Sequence, residues 1–276
     1  MRDILAEEAQ IWRTQITTLA RAEIGRSLLS KRSLPLYLLV AMPTVLMLLR
    51  AVFMPESLRA NPVQATTEFA GLFQFFLLRF IIFFANALIF VRLFRGEILE
   101  RSFHYTLLAP IRRPVLVVGK YVGGVISAWL LLMPTVAISY LLIHLPHRRP
   151  GLEFMTSGGG LAHLISYFLI TALGCVAYGA LFMLAGLFFK NPVVPAILFL
   201  GWETLTPFLP PLLKALSIVH YLVALTPVPV SLSAFALLSR PMPGWVAVVA
   251  PIITSAILVF LAVLKTRRLE ISYAVD

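Results

Sequence analysis

Acidic residues and cysteine are scarce in this chain. Of its 276 residues only twelve are Asp or Glu, and one is Cys. All charged types together make up 13%, about half the share of a soluble domain. A lone thiol, Cys175, inside an apolar run excludes an intramolecular disulfide and a cysteine-built metal site. A cleavable signal peptide is not expected, because charges recur through the first thirty residues and break up any compact apolar core. There is no His-Glu-x-x-His and no Gly-x-Ser-x-Gly, so two common hydrolase signatures are missing. A phosphate-binding loop is missing too. The one Gly-Lys pair, Gly119-Lys120, is followed by Tyr121 and has Pro114 where the first glycine belongs.

Hydrophobic residues are 60% of the chain and mean hydropathy is +0.92. Such a composition excludes a soluble globular enzyme and points to an integral membrane protein. A bilayer crossing takes about 20 apolar residues, so the length accommodates about six crossings joined by short loops. The apolar runs predict spans over 34–54, 69–94, 116–143, 161–189, 192–209 and 244–264. Residues 1–33 alternate apolar Leu5, Trp12, Ile16, Ala20, Ile24 and Leu28 with Arg13, Arg21, Glu23 and Arg26. That pattern predicts an amphipathic helix, either in the membrane interface or solvated. Residues 210–226 are short, moderately apolar and carry Lys214 and His220. They are expected to form a helical hairpin or half-helix dipping into the outer leaflet.

The net charge of +11 fits the positive-inside bias of membrane proteins better than nucleic-acid binding. With both termini inside, sixteen of the 23 Lys and Arg fall on inner segments and five on outer ones. Arg50 and Arg79 lie within spans, Arg50 close enough to an end to snorkel. This bias predicts both termini in the cytoplasm, and the cell's inner (cytoplasmic) membrane is the expected location.

Two intramembrane charges carry a functional expectation. Arg79 lies about 15 Å below the outer end of the second span, and Glu203 about 16 Å above the inner start of the fifth. Both are near mid-depth, where ionisable side chains face protein or water and find partners. They are expected to pair or to border a translocation path together with Trp202. The alternatives are separate partners for each, or Arg79 snorkelling outward. Six aromatic rings of the second span (Phe73, Phe75, Phe76, Phe80, Phe83, Phe84) suit either an amphipathic substrate or a lipid-facing wall.

The segment after the second span is the most informative. It runs Glu97-Ile98-Leu99-Glu100-Arg101-Ser102-Phe103-His104-Tyr105-Thr106-Leu107-Leu108-Ala109-Pro110-Ile111-Arg112-Arg113. A plain connection does not need Phe103, Tyr105, Leu107 and Leu108. Such a ridge marks a docking surface, or a face lying against the bilayer or under the bundle. The segment resembles the hallmark of the ABC-2 type permeases, the membrane subunits of ABC exporters of the type V fold. Glu100, Arg101, His104, Tyr105, Leu107, Leu108, Pro110, Arg113, Gly119 and Lys120 fit that pattern. Ser102 stands where Thr is usual, and Ala109 where Arg is common. Trp202-Glu203, the run Leu216 to Leu222, and the order of parts are similar to the family as well.

The resemblance implies an all-α integral membrane protein forming one transmembrane domain over 1–276. Its parts would be an N-terminal elbow helix over 1–33, six transmembrane helices, a cytoplasmic coupling loop over 95–115, and a re-entrant hairpin over 210–226 between spans five and six. It implies a permease, most simply an exporter, without an ATPase site of its own. The coupling loop, with Glu97, Glu100, Arg101, Phe103, His104, Tyr105, Leu107, Leu108, Pro110 and Arg113, would seat in an ABC ATPase subunit present in two copies. ATP and Mg would be bound by that partner, and no cofactor or metal by this chain. A second permease, identical or different, and membrane lipid complete the expected partners, with no nucleic acid. Two other classes compete: an ATP-independent channel or secondary transporter, and an intramembrane protease built on Ser157 and His163. Neither needs an apolar ridge after the second span.

Overall fold

The structure, a computed structural model, describes residues 2–30, 33–53, 62–99, 111–189, 191, 193–228, 230 and 242–267. The described residues are almost all helical, with no strand among them. In chain order the helices are α1 (Arg2–Leu29), α2 (Leu34–Phe53), α3 (Pro62–Leu72), a π-helical stretch Phe73–Ile82, α4 (Phe83–Phe90) and α5 (Arg92–Leu99). Then come α6 (Arg113–His144), α7 (Arg148–Thr156), α8 (Gly160–Phe188), α9 (Val193–Leu205), α10 (Pro211–Lys214), α11 (Ile218–Ala224) and α12 (Gly244–Arg267).

Five helical stretches among these are long and apolar enough to cross a bilayer: Leu34–Phe53, Gln64–Gly96, Arg113–His144, Gly160–Phe188 and Gly244–Arg267. The fold is therefore all-α, with membrane-spanning helices where five of the six expected spans lie. The fifth expected span, over 192–209, holds only the 13-residue α9. Its rise of about 20 Å falls short of the roughly 30 Å hydrocarbon core. The cause is local. Pro207 has no N–H to bond the Glu203 carbonyl four residues back, so the α-helix stops at Leu205 and the chain tightens into a 3-10 turn over Thr206–Phe208.

The stretch α3 to α5 and helix α8 form the centre, and α2 and α12 lie at the periphery. Packing at the centre is aromatic. Phe69 meets Tyr140 and Tyr167 edge-on at 4.9 and 5.0 Å, and Phe73 lies 4.5 Å from Tyr167. Phe83 sits edge-on against Tyr178 and Phe182. Phe73 and Phe83 are thus interior packing, not a wall for substrate or lipid. Phe75 and Phe80 remain exposed.

Glycine sets the closest approaches. The ring of Phe90 is wedged between Gly124 of α6 and Gly179 of α8. A Cβ on those glycines would stand 2.8 and 2.5 Å from its atoms. On the neighbouring face of α6, Gly119 and Gly123 form a small-xxx-small pair. There α1 lies against α6, with Leu19 over Gly119 and the Ala20 backbone over Gly123. The expected N-terminal helix is therefore one continuous 28-residue helix docked on a spanning helix. Ser157-Gly158-Gly159 closes α7, and Gly159 (φ 85°) turns the chain into α8.

Candidate functional site

Arg79 and Glu203 do meet, but not as an ion pair. Arg79 sits in the π-helical stretch, a geometry that often marks functional sites. Its Nη1 donates to the backbone carbonyl of Glu203 at 3.2 Å. Its guanidinium carbon lies 5.9 Å from the centre of the Phe75 ring, and its buried Nε has no hydrogen-bond partner among the described residues.

The Glu203 carboxylate turns the other way. It is 4% exposed and accepts three hydrogen bonds from the start of α11. Oε1 takes Ile218 N–H at 3.0 Å, and Oε2 takes Val219 N–H at 3.1 Å and Ser217 Oγ at 2.5 Å. Ser217 is itself the N-cap of α11, accepting from His220 N–H, and lies 2.9 Å from Thr206 Oγ1. A helix start leaves N–H groups without partners inside the helix, and a buried carboxylate among them satisfies both hydrogen bonding and dipole. Glu203 therefore fastens α11 to α9. Trp202, one residue earlier, is half-buried on a different side of α9.

The short helices α10 and α11 are joined by a tight turn over Ala215–Leu216 and occupy the predicted hairpin segment 210–226. On the other side of α11, Leu222 packs beside Gly174 of α8. Gln74, one turn before Arg79, donates to Thr226 Oγ1 at 3.1 Å and to the Val228 carbonyl at 3.0 Å. The π-helical stretch, α9 and α11 thus form one polar junction inside the bundle.

The expected coupling residues divide. Glu97 falls in α5, which continues the second span past Gly96. Glu100, Arg101, Phe103, His104, Tyr105, Leu107, Leu108 and Pro110 lie outside the described residues. Arg113 opens α6, and its Nη1 donates to the carbonyls of Thr266, at 2.9 Å, and Arg267 at the end of α12. Its guanidinium is engaged within this chain. Lys120 is 2% exposed. Its ammonium donates to the Leu93 carbonyl at 2.8 Å, lies 3.4 Å from Glu23 of α1, and stands over the Phe94 ring. The Gly-Lys pair of the motif is thus an anchor for α1.

Glu23 and Ser217 were not singled out from the sequence. Ser217 ahead of an apolar run is a recognisable N-cap signal. Glu23 gives no such signal, because its partner is 97 positions away. Arg50 pairs with Glu68 of α3, with Nε donating to Oε2 at 2.9 Å.

At the other end of the bundle His144 and His147 are buried, and Phe154 stacks between His144 and His163 at 5.3 and 5.9 Å. Among the described residues no three His, Cys, Asp or Glu side chains converge to hold a metal. Ser157 Oγ donates to the Glu153 carbonyl at 2.8 Å, an interaction within its own turn. No protein-family model matches the chain, and no curated protein matches it.

Proposed function

We propose that this chain is the permease subunit of an ATP-driven ABC transporter, an exporter of the ABC-2 type. The observation that carries the reading is the segment Glu97 to Arg113, where most of the family's pattern falls between two membrane-spanning stretches, the second ending at Gly96 and the third opening at Arg113, with the pattern's Gly119 and Lys120 in the first turns of the third. On this reading α9, extended by the turn over Thr206–Phe208, makes the sixth crossing, and α10 and α11 are the re-entrant hairpin. Helix α1 is the elbow. Both termini face the cytoplasm, in keeping with the arginine bias.

Two ATPase subunits bind ATP and Mg and close on each other. The coupling loop, through Phe103, Tyr105, Leu107 and Leu108, passes that motion to the membrane helices. A second permease, identical or different, forms the other wall of the route. Arg79 and Trp202 border that route, with Arg79 held by the Glu203 carbonyl. Glu203 acts from behind by fixing α11.

The reading is tested by co-purification with the cognate ATPase. A buried aromatic anchor typically contributes about 2 kcal/mol or more to an interface. Phe103→Ala with Tyr105→Ala is therefore expected to abolish recovery of the ATPase while the permease still inserts. Full recovery of the ATPase by that double variant contradicts it.

A further inference from the structure

Helix α7 lies against the end of α6 farthest from Lys120, and histidines line the contact. The chain leaves α6 at His144, makes a 3-10 turn over Leu145–His147 and enters α7 directly. With 32 residues, α6 is about 48 Å long against a hydrocarbon core of about 30 Å, so its ends stand clear of the hydrocarbon. Gly151 lets α7 close onto that end. A Cβ there would stand 2.6 Å from the His144 carbonyl and 3.2 Å from the His147 Cβ. One turn on, Phe154 slots between the rings of His144 and His163, and Met155 covers Gly160 at the start of α8. The opposite side of α7, with Arg149, Leu152 and Glu153, is exposed.

His144 is buried without the partners a buried polar group normally has. It is 3% exposed, and neither Nδ1 nor Nε2 has a hydrogen-bond partner among the described residues. Its ring stands edge-on to Tyr140 at 4.7 Å and lies against Phe154. The Tyr140 hydroxyl donates elsewhere, to the Gly160 carbonyl. A neutral imidazole leaves one donor and one acceptor unpaired in this pocket, whereas an imidazolium leaves two donors and a charge, which costs far more. The charged and titratable groups acting on it are His147 of the 3-10 turn, Arg50 of α2 and His163 of α8. No carboxylate stands among them. Glu68 of α3 holds Arg50, and Glu153 lies on the exposed side of α7.

We propose that α7 is an acid-released cover, seated on the end of the bundle only while His144 is uncharged. Lifting α7 takes Phe154 away and lets water reach the His144 ring. The seated form binds no proton at His144 and the lifted form binds one. Lifting is therefore favoured as pH falls below the ordinary imidazole value of about 6.5, and above that value the cover stays down. On the orientation proposed above, this end faces outward and the cover answers to external acidity. The switch itself rests on the packing of α6, α7 and α8 and needs no ATPase partner.

The test is hydrogen–deuterium exchange of the purified full-length protein at pH 7.5 and pH 5.5, read as protection after correction for the intrinsic exchange rate. Opening coupled to one imidazole with a pKa of about 6.5 rises about tenfold between those values. Protection over residues 151–157 is therefore expected to fall about tenfold. Protection over residues 10–20 of α1, which hold no acid and no histidine, is expected to stay the same. His144→Leu fills the pocket with an apolar side chain and is expected to abolish the fall over 151–157. His144→Phe serves the same purpose should the leucine variant insert poorly. Equal protection of 151–157 at both pH values in the wild type, an undiminished fall in the His144 variants, or a parallel fall over 10–20 overturns the proposal.

Discussion

Replacing Glu203 by Gln tests the claim that this carboxylate fastens a helix. Glu203 accepts three hydrogen bonds in a site only 4% exposed. Glutamine keeps one acceptor oxygen and turns an amide NH2 toward N–H groups that also donate. At least one of Ile218 N–H, Val219 N–H and Ser217 Oγ then loses its acceptor. Leaving one buried donor unsatisfied costs about 1–3 kcal/mol, and losing the negative charge at the helix start about 0.3–1 kcal/mol more. The expected loss is about 2–3 kcal/mol, concentrated in the docking of α11.

Cys175 reports that docking directly. It is the only cysteine, it is fully buried, and it follows Gly174, against which Leu222 of α11 packs. Local opening of α11 uncovers this neighbourhood, so thiol labelling in detergent follows the opening equilibrium. A change of about 2–3 kcal/mol corresponds to labelling about 30- to 150-fold faster. Ser217→Ala is expected to speed labelling less, by the roughly 1 kcal/mol of a lost N-cap. Wild-type labelling rates in both Glu203→Gln and Ser217→Ala would refute the fastening role and return Glu203 to the list of path-lining charges.

Three other predictions follow from the same packing. Lys120→Met breaks the buried pair with Glu23, a change of about 3–5 kcal/mol. Trypsin is then expected to cut α1 at Arg21 and Arg26 many times faster, with Lys120→Met plus Glu23→Leu recovering most of the protection. Gly179→Ala puts a methyl 2.5 Å from the Phe90 ring and is expected to destabilise by about 1–3 kcal/mol in thermal unfolding, with Phe90→Leu suppressing the effect. Exchanging the charges, Arg79→Glu with Glu203→Arg, is expected to lower transport and stability below either single variant, because the two side chains serve different partners. Restored transport in the exchange would contradict the observed geometry.

The membrane spans were legible because length and apolarity alone decide them, as the runs around 34–54 and 244–264 illustrate. The ends of elements depend on chemistry a run of hydropathy does not record. Thr206-Pro207 stops α9 early, and the motif for that was present in the sequence but outweighed by the apolar count. The π-helical stretch carries no proline or glycine to announce it, and no feature of Phe73–Ile82 explains it. Counting along the spans puts Arg79 and Glu203 at one level, and the Arg79 side chain reaches the Glu203 carbonyl. It could not tell a side chain from a carbonyl as the partner, because Glu203 is claimed by Ser217, Ile218 and Val219 from a segment treated as a separate hairpin. Lys120 was read from its motif, whereas burial beside Glu23 and Leu93 gives it a structural task that only the docking of α1 creates.

The central claim is that this chain couples to an ATPase through the loop after its second span. The measurement that bears on it most directly is ATP hydrolysis by the cognate ATPase in liposomes, with and without this chain. The wild-type chain is expected to raise the turnover rate, and the Phe103→Ala, Tyr105→Ala variant, inserted to the same level, to leave it at the rate of the ATPase alone. Equal rates for the ATPase alone, with the wild-type chain and with the variant would contradict the account.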